Sequence, residues 1–243
     1  MASLIVLGID ALDFNMVNEL NLAALKQRQY NEIVVPLGSD GYPHSPSVWA
    51  SFLIGKNVEV DFVVVEPGVN RFGGLSQETF VDWSGVKAIN APYYNHEVDT
   101  LSTLVDLQAK RAGYKDTRDT QSELISKMIS THLARTKEIL EEVVKTKNNP
   151  HHKMVFAYIQ TLDTMQHYFF PKPRIIENLY REMDVLVSDL KKQSGGTTLI
   201  IVSDHGFREG THSHKGYYSC SHPLDNKPTN IINFFKVIEG FLH

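Results

Sequence analysis

The chain has 243 residues, of which 42% are hydrophobic and 21% charged, with a formal net charge of −4. That length is enough for one large α/β domain with a substantial core, and the lack of a basic excess argues against non-specific nucleic-acid binding as the main task. The one cysteine, Cys220, excludes an intramolecular disulfide, fits a reducing compartment and reads as a packed small residue.

Residues 1–10 are apolar but lack a basic start and a small-residue cleavage pattern, so they read as a first strand rather than a signal peptide. No apolar run approaches the roughly 18 residues needed to span a bilayer. A cytoplasmic protein without a membrane partner is expected. The run 3–9, closed by Asp10, has the unbroken apolarity of a strand buried on both faces. Asp13 is placed to cap a helix over 14–28, with Phe14, Val17, Leu20, Leu22 and Leu25 along it. Residues 32–37 read as a second strand, and the polar loop 38–45 leads into Pro46. Serine at a helix cap and proline at the first helical position mark a helix start there, with Val48, Trp49, Phe52 and Leu53 toward the core.

Strands are expected at 62–65 and 86–90, with loops at 68–74 and 92–94. Helical periodicity covers 116–145, with Leu124, Met128, Leu133, Ile139, Leu140 and Val143 as core contacts. A strand at 153–159 precedes a short helix around 164–169 and a longer one over 174–192, which Gly195-Gly196 ends. The β-branched strand 197–202 stops at Ser203-Asp204-His205-Gly206; a short strand at 217–220 and a helix over 229–241 follow. Strands alternating with helices imply an α/β fold, a largely parallel sheet with helices on both faces. Without repeats or low-complexity linkers, residues 1–243 read as a single domain, in which 56–115 could form a small cap.

Ligands of open parallel sheets bind at the carboxyl ends of strands. Asp10, Asp163, Asp204 and His205 all fall at or just beyond such ends, and that gathering of carboxylates is costly in repulsion unless cations join them. Asp163 and His167 are spaced i,i+4, which puts both on one face if the segment is helical; alone, the pair reads better as a cap and a core histidine. Asp204 and His205 sit on a tight turn that Gly206 permits. His212 and His214 follow on a loop, whereas His151 and His152 precede a strand and lie at the wrong edge. Ser45 is the candidate nucleophile, activated by a cation and by the positive end of its helix; alone, it is simply a helix cap.

These residues carry a resemblance. Gly8-Ile9-Asp10-Ala11-Leu12-Asp13 looks like the opening of the phosphodiesterase and nucleotide pyrophosphatase branch of the alkaline phosphatase superfamily. Ser45-Pro46-Ser47-Val48-Trp49-Ala50-Ser51-Phe52-Leu53-Ile54-Gly55-Lys56 is similar to the nucleophile segment of that branch. Asp163-Thr164-Met165-Gln166-His167 matches its Asp-x-x-x-His motif, and Ser203-Asp204-His205-Gly206 its Ser-Asp-His-Gly motif. Gly210-Thr211-His212-Ser213, followed by Tyr217-Tyr218-Ser219, resembles the last metal-ligand segment and selects His212 over His214. The resemblance implies a three-layer α/β/α sandwich of alkaline phosphatase type. It also implies two divalent cations, with Zn²⁺ expected and Mn²⁺ or Fe as alternatives. Asp163, His167 and His212 would bind one ion; Asp10, Asp204, His205 and the Ser45 oxygen would bind the other.

The implied activity is hydrolysis of a small phosphate ester, a phosphodiester or nucleotide pyrophosphate, through a phospho-serine; a monoesterase or phosphomutase is the alternative, and a non-catalytic metal-binding homologue a further one. A sulfatase is disfavoured because no arginine follows Ser45-Pro46 at the spacing those relatives need. The chain is short for the superfamily, and the His-Gly-Ile segment of many diesterases has no clear match in 56–65. The group that contacts the phosphate therefore stays open among Lys56, Asn57, Asn70, Arg71, Arg208 and Lys215. Tyr93, Tyr94, Trp83 and Phe72 are candidates to stack on a base.

Overall fold

In the computed structural model, residues 2–59, 75–96, 118–170 and 172–243 are described. Strands β1 (Leu4–Ile9), β2 (Gln29–Val34), β3 (Val86–Ile89), β4 (Met154–Ile159), β5 (Thr198–Ser203) and β8 (Lys215–Cys220) form one six-stranded sheet in the order β2-β8-β5-β1-β4-β3. β6 (Phe207–Arg208) and β7 (Thr211–His212) make a separate hairpin. β1 lies parallel to β4 and β5, and β3 parallel to β4, whereas β8 is antiparallel to both β5 and β2.

Every residue of β1 and of β4 is buried, as their unbroken apolar sequences require once helices cover both faces. Alternate side chains enter two different cores. Ile5, Leu7, Ile9, Val155, Ala157 and Ile159 pack under α1 (Phe14–Glu19), α2 (Ala23–Lys26), α4 (Arg118–Lys147), α5 (Thr161–Phe169) and α6 (Pro173–Ser194). Leu4, Val6, Met154, Phe156, Tyr158 and Val202 meet α3 (Ser45–Ile54) and α7 (Phe234–Leu242) on the other face. The result is the expected three-layer sandwich with a largely parallel sheet. Cys220 is buried in the second core. No helix among the described residues is long and apolar enough to cross a membrane.

Several boundaries differ from the sequence reading, each for a tertiary reason. The helix expected over 14–28 is broken into α1 and α2, with Asn21 between them at φ 50°. Asp184 of α6 restarts the chain as α2 by accepting the Ala24 and Leu25 N–H groups at 2.9 Å. Asp13 does cap α1, its Oδ1 accepting from Asn15 N at 2.8 Å and Met16 N at 3.1 Å. β2 begins earlier than expected because it pairs residue for residue with β8, from Gln29↔Cys220 to Val34↔Lys215. Ser45 is the first residue of α3, and His44 takes the cap position. At the C-terminus a short 3₁₀ turn, Ile231–Asn233, precedes α7. The strand expected at 62–65 and the loop at 68–74 lie outside the described residues. Of the suggested cap, residues 75–96 supply β3 and a turn at Phe80–Asp82, where Phe80 packs on Phe52 with ring centroids 5.2 Å apart.

Gly8 is where β1 admits Trp49. A Cβ there would lie 2.8 Å from Trp49 Cη2, and Trp49 is fully buried against Tyr158. Gly8→Ala is expected to destabilise the fold by about 1–3 kcal/mol through overpacking, read as a lowered midpoint in urea denaturation with an unchanged slope.

Candidate metal centre

β5, β1 and β4 are parallel neighbours, so their carboxyl ends share one edge of the sheet. Asp10 follows the last residue of β1, and Asp204-His205 follow the last residue of β5. Beyond β4 the chain turns directly into α5, which carries Asp163 and His167 one turn apart. α5 is held to α4 through Thr161 Oγ1 and Thr136 Oγ1, 2.7 Å apart. The β6–β7 hairpin turns at Glu209 and Gly210, whose φ values of 51° and 86° are those of a tight type I′ turn. That turn folds His212 back opposite Phe207 and over the edge. Ser45 arrives from the other layer, at the start of α3.

Every predicted site residue is thereby brought to one place, in two groups. The donor atoms of Asp163, His167 and His212 lie within 4.8 Å of one another, as do those of Asp10, Asp204 and His205. In the first group, His167 Nε2 is 3.3 Å from Asp163 Oδ1 and 3.0 Å from His212 Nε2, and His212 Nε2 is 3.6 Å from Asp163 Oδ1. In the second, His205 Nε2 is 3.5 Å from Asp10 Oδ1, 3.4 Å from Asp204 Oδ2 and 3.0 Å from Ser45 Oγ. The His205 and His212 rings stack at 3.8 Å and join the two groups. His214 stays apart, its ring edge-to-face with Tyr42 at 5.1 Å.

These residues fit a cation by a stringent test. Asp10 Oδ1, Asp163 Oδ1 and Asp204 Oδ2 are buried and accept no well-formed hydrogen bond. They face imidazole nitrogens and one another, the arrangement of a ligand set rather than a hydrogen-bonded network. Burial, then the charges of Asp204 and Asp163, hold the Asp10 carboxyl well above the usual range. Burial likewise pushes Asp204 up to about 7. Burial also raises Asp163, but the adjacent His167 and the other imidazoles outweigh it and leave the group below its ordinary value. His167 is raised by the adjacent Asp163 carboxylate, whereas burial brings His212 down to about 4. His212 is therefore held in the neutral form a metal ligand needs.

The surroundings include groups that sequence reasoning missed. Tyr158 donates to Asp10 Oδ2 at 2.5 Å, which fixes the carboxylate and leaves Oδ1 aimed inward. Tyr93 donates to Pro46 O at 2.6 Å and braces the start of α3. Ser203 Oγ donates to His205 O at 2.8 Å and accepts from Leu12 N at 2.9 Å, locking the two strand-end turns together. Only the serine of Ser-Asp-His-Gly had a sequence signal; the tyrosines look like any core aromatic.

Other expectations change. Gly206 is required by space rather than by its dihedrals, since a Cβ would lie 2.3 Å from Asp13 Oδ2. Tyr93 is buried and so not open to a base, whereas half-buried Trp83 packs on Phe235 with centroids 4.8 Å apart. Tyr94 hydrogen-bonds Asp82 at 2.8 Å. Arg208 is tied to Asp13 at 3.5 Å and Glu19 at 3.8 Å. Asn70, Arg71 and Phe72 lie outside the described residues. His151 and His152 precede β4, at the far edge as expected.

A carboxylate and imidazole centre at the carboxyl edge of a three-layer sheet has the donors to hold divalent cations. Residues 68–232, more than half of the chain, match the type I phosphodiesterase/nucleotide pyrophosphatase family, and the chain belongs to that family. The matched span holds Asp163, His167, Asp204, His205 and His212. Asp10 and Ser45 precede it and join the centre through the fold. Sequence comparison with curated proteins finds no match. Among solved structures, a variant of TAB5 alkaline phosphatase superposes with a TM-score of 0.59 at 13% identity, covering 98% of this chain and 97% of that one. The alkaline phosphatase of the Antarctic bacterium TAB5 gives 0.56 at 12% identity, with the same coverage of 98% and 97%. Murine ectonucleotide pyrophosphatase/phosphodiesterase 5 gives 0.50 at 11% identity, covering 84% of this chain and 57% of that one. These likenesses establish the fold.

Because Asp204 must lose its proton to bind a cation, protons and cations compete at this centre. With Asp204 pushed up to about 7, divalent-cation affinity is expected to rise as pH increases from about 6 to about 8 and to weaken on the acid side. Calorimetric titration of the chelator-treated chain with Zn²⁺ or Mn²⁺ across that range measures it. Tyr158→Phe, which frees Asp10 Oδ2, is expected to weaken binding by roughly 10- to 100-fold in the same titration.

Proposed function

We propose that the chain hydrolyses phosphodiesters or nucleotide pyrophosphates, using two divalent cations and a covalent phospho-serine on Ser45. The observation that carries this reading is the meeting of Ser45 Oγ with three carboxylates, two of them fully buried, and three imidazoles in two ligand groups. Asp163, His167 and His212 would hold one cation; Asp10, Asp204, His205 and Ser45 Oγ would hold the other. Mixed carboxylate and imidazole donors suit Zn²⁺, with Mn²⁺ and Fe as alternatives. The TAB5 alkaline phosphatase variant that shares the fold has Mg bound. Bound cations would supply the positive charge that offsets the carboxylates and stabilises the attacking and leaving oxygens of an in-line displacement.

Ser45 opens α3, so the developing charge of its oxygen and of the phosphate lies at the positive end of a helix whose first turn carries no acidic side chain. Ser45 Oγ attacks phosphorus; the new Oγ–P bond forms as the P–O bond to the leaving group breaks, and the departing oxygen takes a proton. Water then cleaves Oγ–P and restores the hydroxyl. Tyr93 holds the Pro46 carbonyl, and with it the direction of Ser45, throughout.

One feature favours a nucleotide substrate. Tyr42, which precedes Ser45 by three residues, and His214, which follows His212 by two, form an aromatic pair in which Tyr42 is 44% exposed. The pair gives the base of a nucleotide substrate a surface to rest on. Phosphomonoester hydrolysis and phosphoryl transfer between positions of one substrate use the same centre and are the alternatives.

Ser45→Ala is expected to abolish turnover while metal content, read by elemental analysis, stays near that of the parent chain. Bis-p-nitrophenyl phosphate should be cleaved faster than p-nitrophenyl phosphate; the opposite order assigns a monoesterase, and cleavage of neither points to a mutase. Tyr42→Ala should raise KM for a nucleotide pyrophosphate several-fold and leave kcat and the KM for a small alkyl diester unchanged.

A further inference from the structure

The opposite edge of the sheet carries a concavity. Its volume is about 450 Å³, and Arg28, Lys191, Ser194, Thr197, Ser221 and His222 are among the residues that line it. β5 starts beside it at Thr198 and ends at the catalytic edge, so a six-residue strand separates the two places by about 20 Å. None of the lining residues takes part in the proposed chemistry.

The charge of this recess is one-sided. It is lined by an arginine, a lysine and a histidine and by no carboxylate, in a chain whose net charge is −4. Among the described residues neither Arg28 nor Lys191 forms an ion pair. Asp184 acts electrostatically on Lys191, but its Oδ1 is committed to the Ala24 and Leu25 N–H groups at 2.9 Å. Burial lowers the Lys191 ammonium against the pull of Asp184, and Arg28 adds to the fall. Two like charges held around a concavity, with one partly buried, are a standing cost that a bound anion removes.

Hydroxyls complete the lining. Ser221 Oγ accepts from Leu199 N at 2.9 Å and lies 3.1 Å from His222 Nδ1. Thr198 Oγ1 is 3.4 Å from the same nitrogen, so Nε2 is the second polar edge of the His222 ring. Ser194 and Thr197 give their hydroxyl protons to Leu190 O and Ala2 O, which leaves a planar guanidinium, an ammonium and an imidazole as the donors that phosphate oxygens select. The volume lies within the range of small-molecule sites, roughly 300–1,000 Å³, and exceeds what a bare phosphate fills.

We infer that this recess binds the phosphomonoester of a small organic molecule, at a site separate from the catalytic edge. Arg28 and Lys191 take the phosphate, and the organic part rests among the remaining lining residues, Ala23 and Leu199 included.

Glycerol 3-phosphate is titrated calorimetrically into the full chain in the presence of EDTA, so that the catalytic centre has no cation with which to take phosphate. One binding event is expected, weakened by about tenfold or more in Arg28→Ala/Lys191→Ala, with glycerol alone silent. The same double variant should cleave bis-p-nitrophenyl phosphate at the parental rate when metals are present. Absence of binding in the parent chain, or parental affinity in the double variant, overturns the inference. Sulfate binding as tightly as glycerol 3-phosphate overturns the organic part of it. Lys191→Glu, a single change on a partly exposed helix end, is read the same way if the double variant does not fold.

Discussion

Asp10 Oδ1, Asp163 Oδ1 and Asp204 Oδ2 are buried where no donor of the protein reaches them well, and the surrounding structure is organised around that uncompensated charge. A carboxylate taken from water without a partner costs several kcal/mol, and three placed together cost more through mutual repulsion. Nothing in the local sequence lowers this cost. The rest of the fold has to hold the carboxylates where cations can, with Tyr158 bonded to Asp10 on its other oxygen and the Ala11 N–H reaching Asp204 Oδ1 at 3.4 Å. The raised proton affinity of Asp10 and Asp204 reflects the same stress in the metal-free chain.

The sheet meets this requirement because its central strands are parallel and buried on both faces. Parallel order sends the ends of β5, β1 and β4 to one edge, and burial of alternate side chains in two cores makes the positions of those ends rigid. Each layer then contributes something different. α5, with the β6–β7 hairpin behind it, brings Asp163, His167 and His212, whereas α3 from the opposite face brings Ser45. A serine from one layer and a carboxylate–imidazole group from the other meet only above the strand ends. Gly8 makes this meeting close, since without a Cβ it lets Trp49, and so α3, lie directly on β1.

Much of this was readable from residue order. The runs that became β1, β4 and β5 are apolar without interruption, each ends near an acid, and the i,i+4 spacing of Asp163 and His167 survives as one face of α5. Such signals are local: they depend on the period of a strand or a helix, which a few neighbouring residues set. Where the expectation slipped, a distant partner had intervened. Asp184 divides the predicted first helix, the pairing with β8 shifts β2 toward the N-terminus, and Asp13 rather than backbone torsion explains Gly206.

Residue order alone determined the alternation of strands and helices, the identity of the acids and histidines at strand ends, and Ser45 at a helix start. Tertiary structure alone decided that these side chains share one place and that Tyr158 supports Asp10. It also gathered Arg28, Lys191 and His222, far apart in the chain, at the other edge. The reason is physical: periodicity is written in a residue and its near neighbours, whereas convergence depends on strand register and on the angle of a two-residue turn. Those are fixed by hydrogen bonds and packing between segments that lie far apart along the chain.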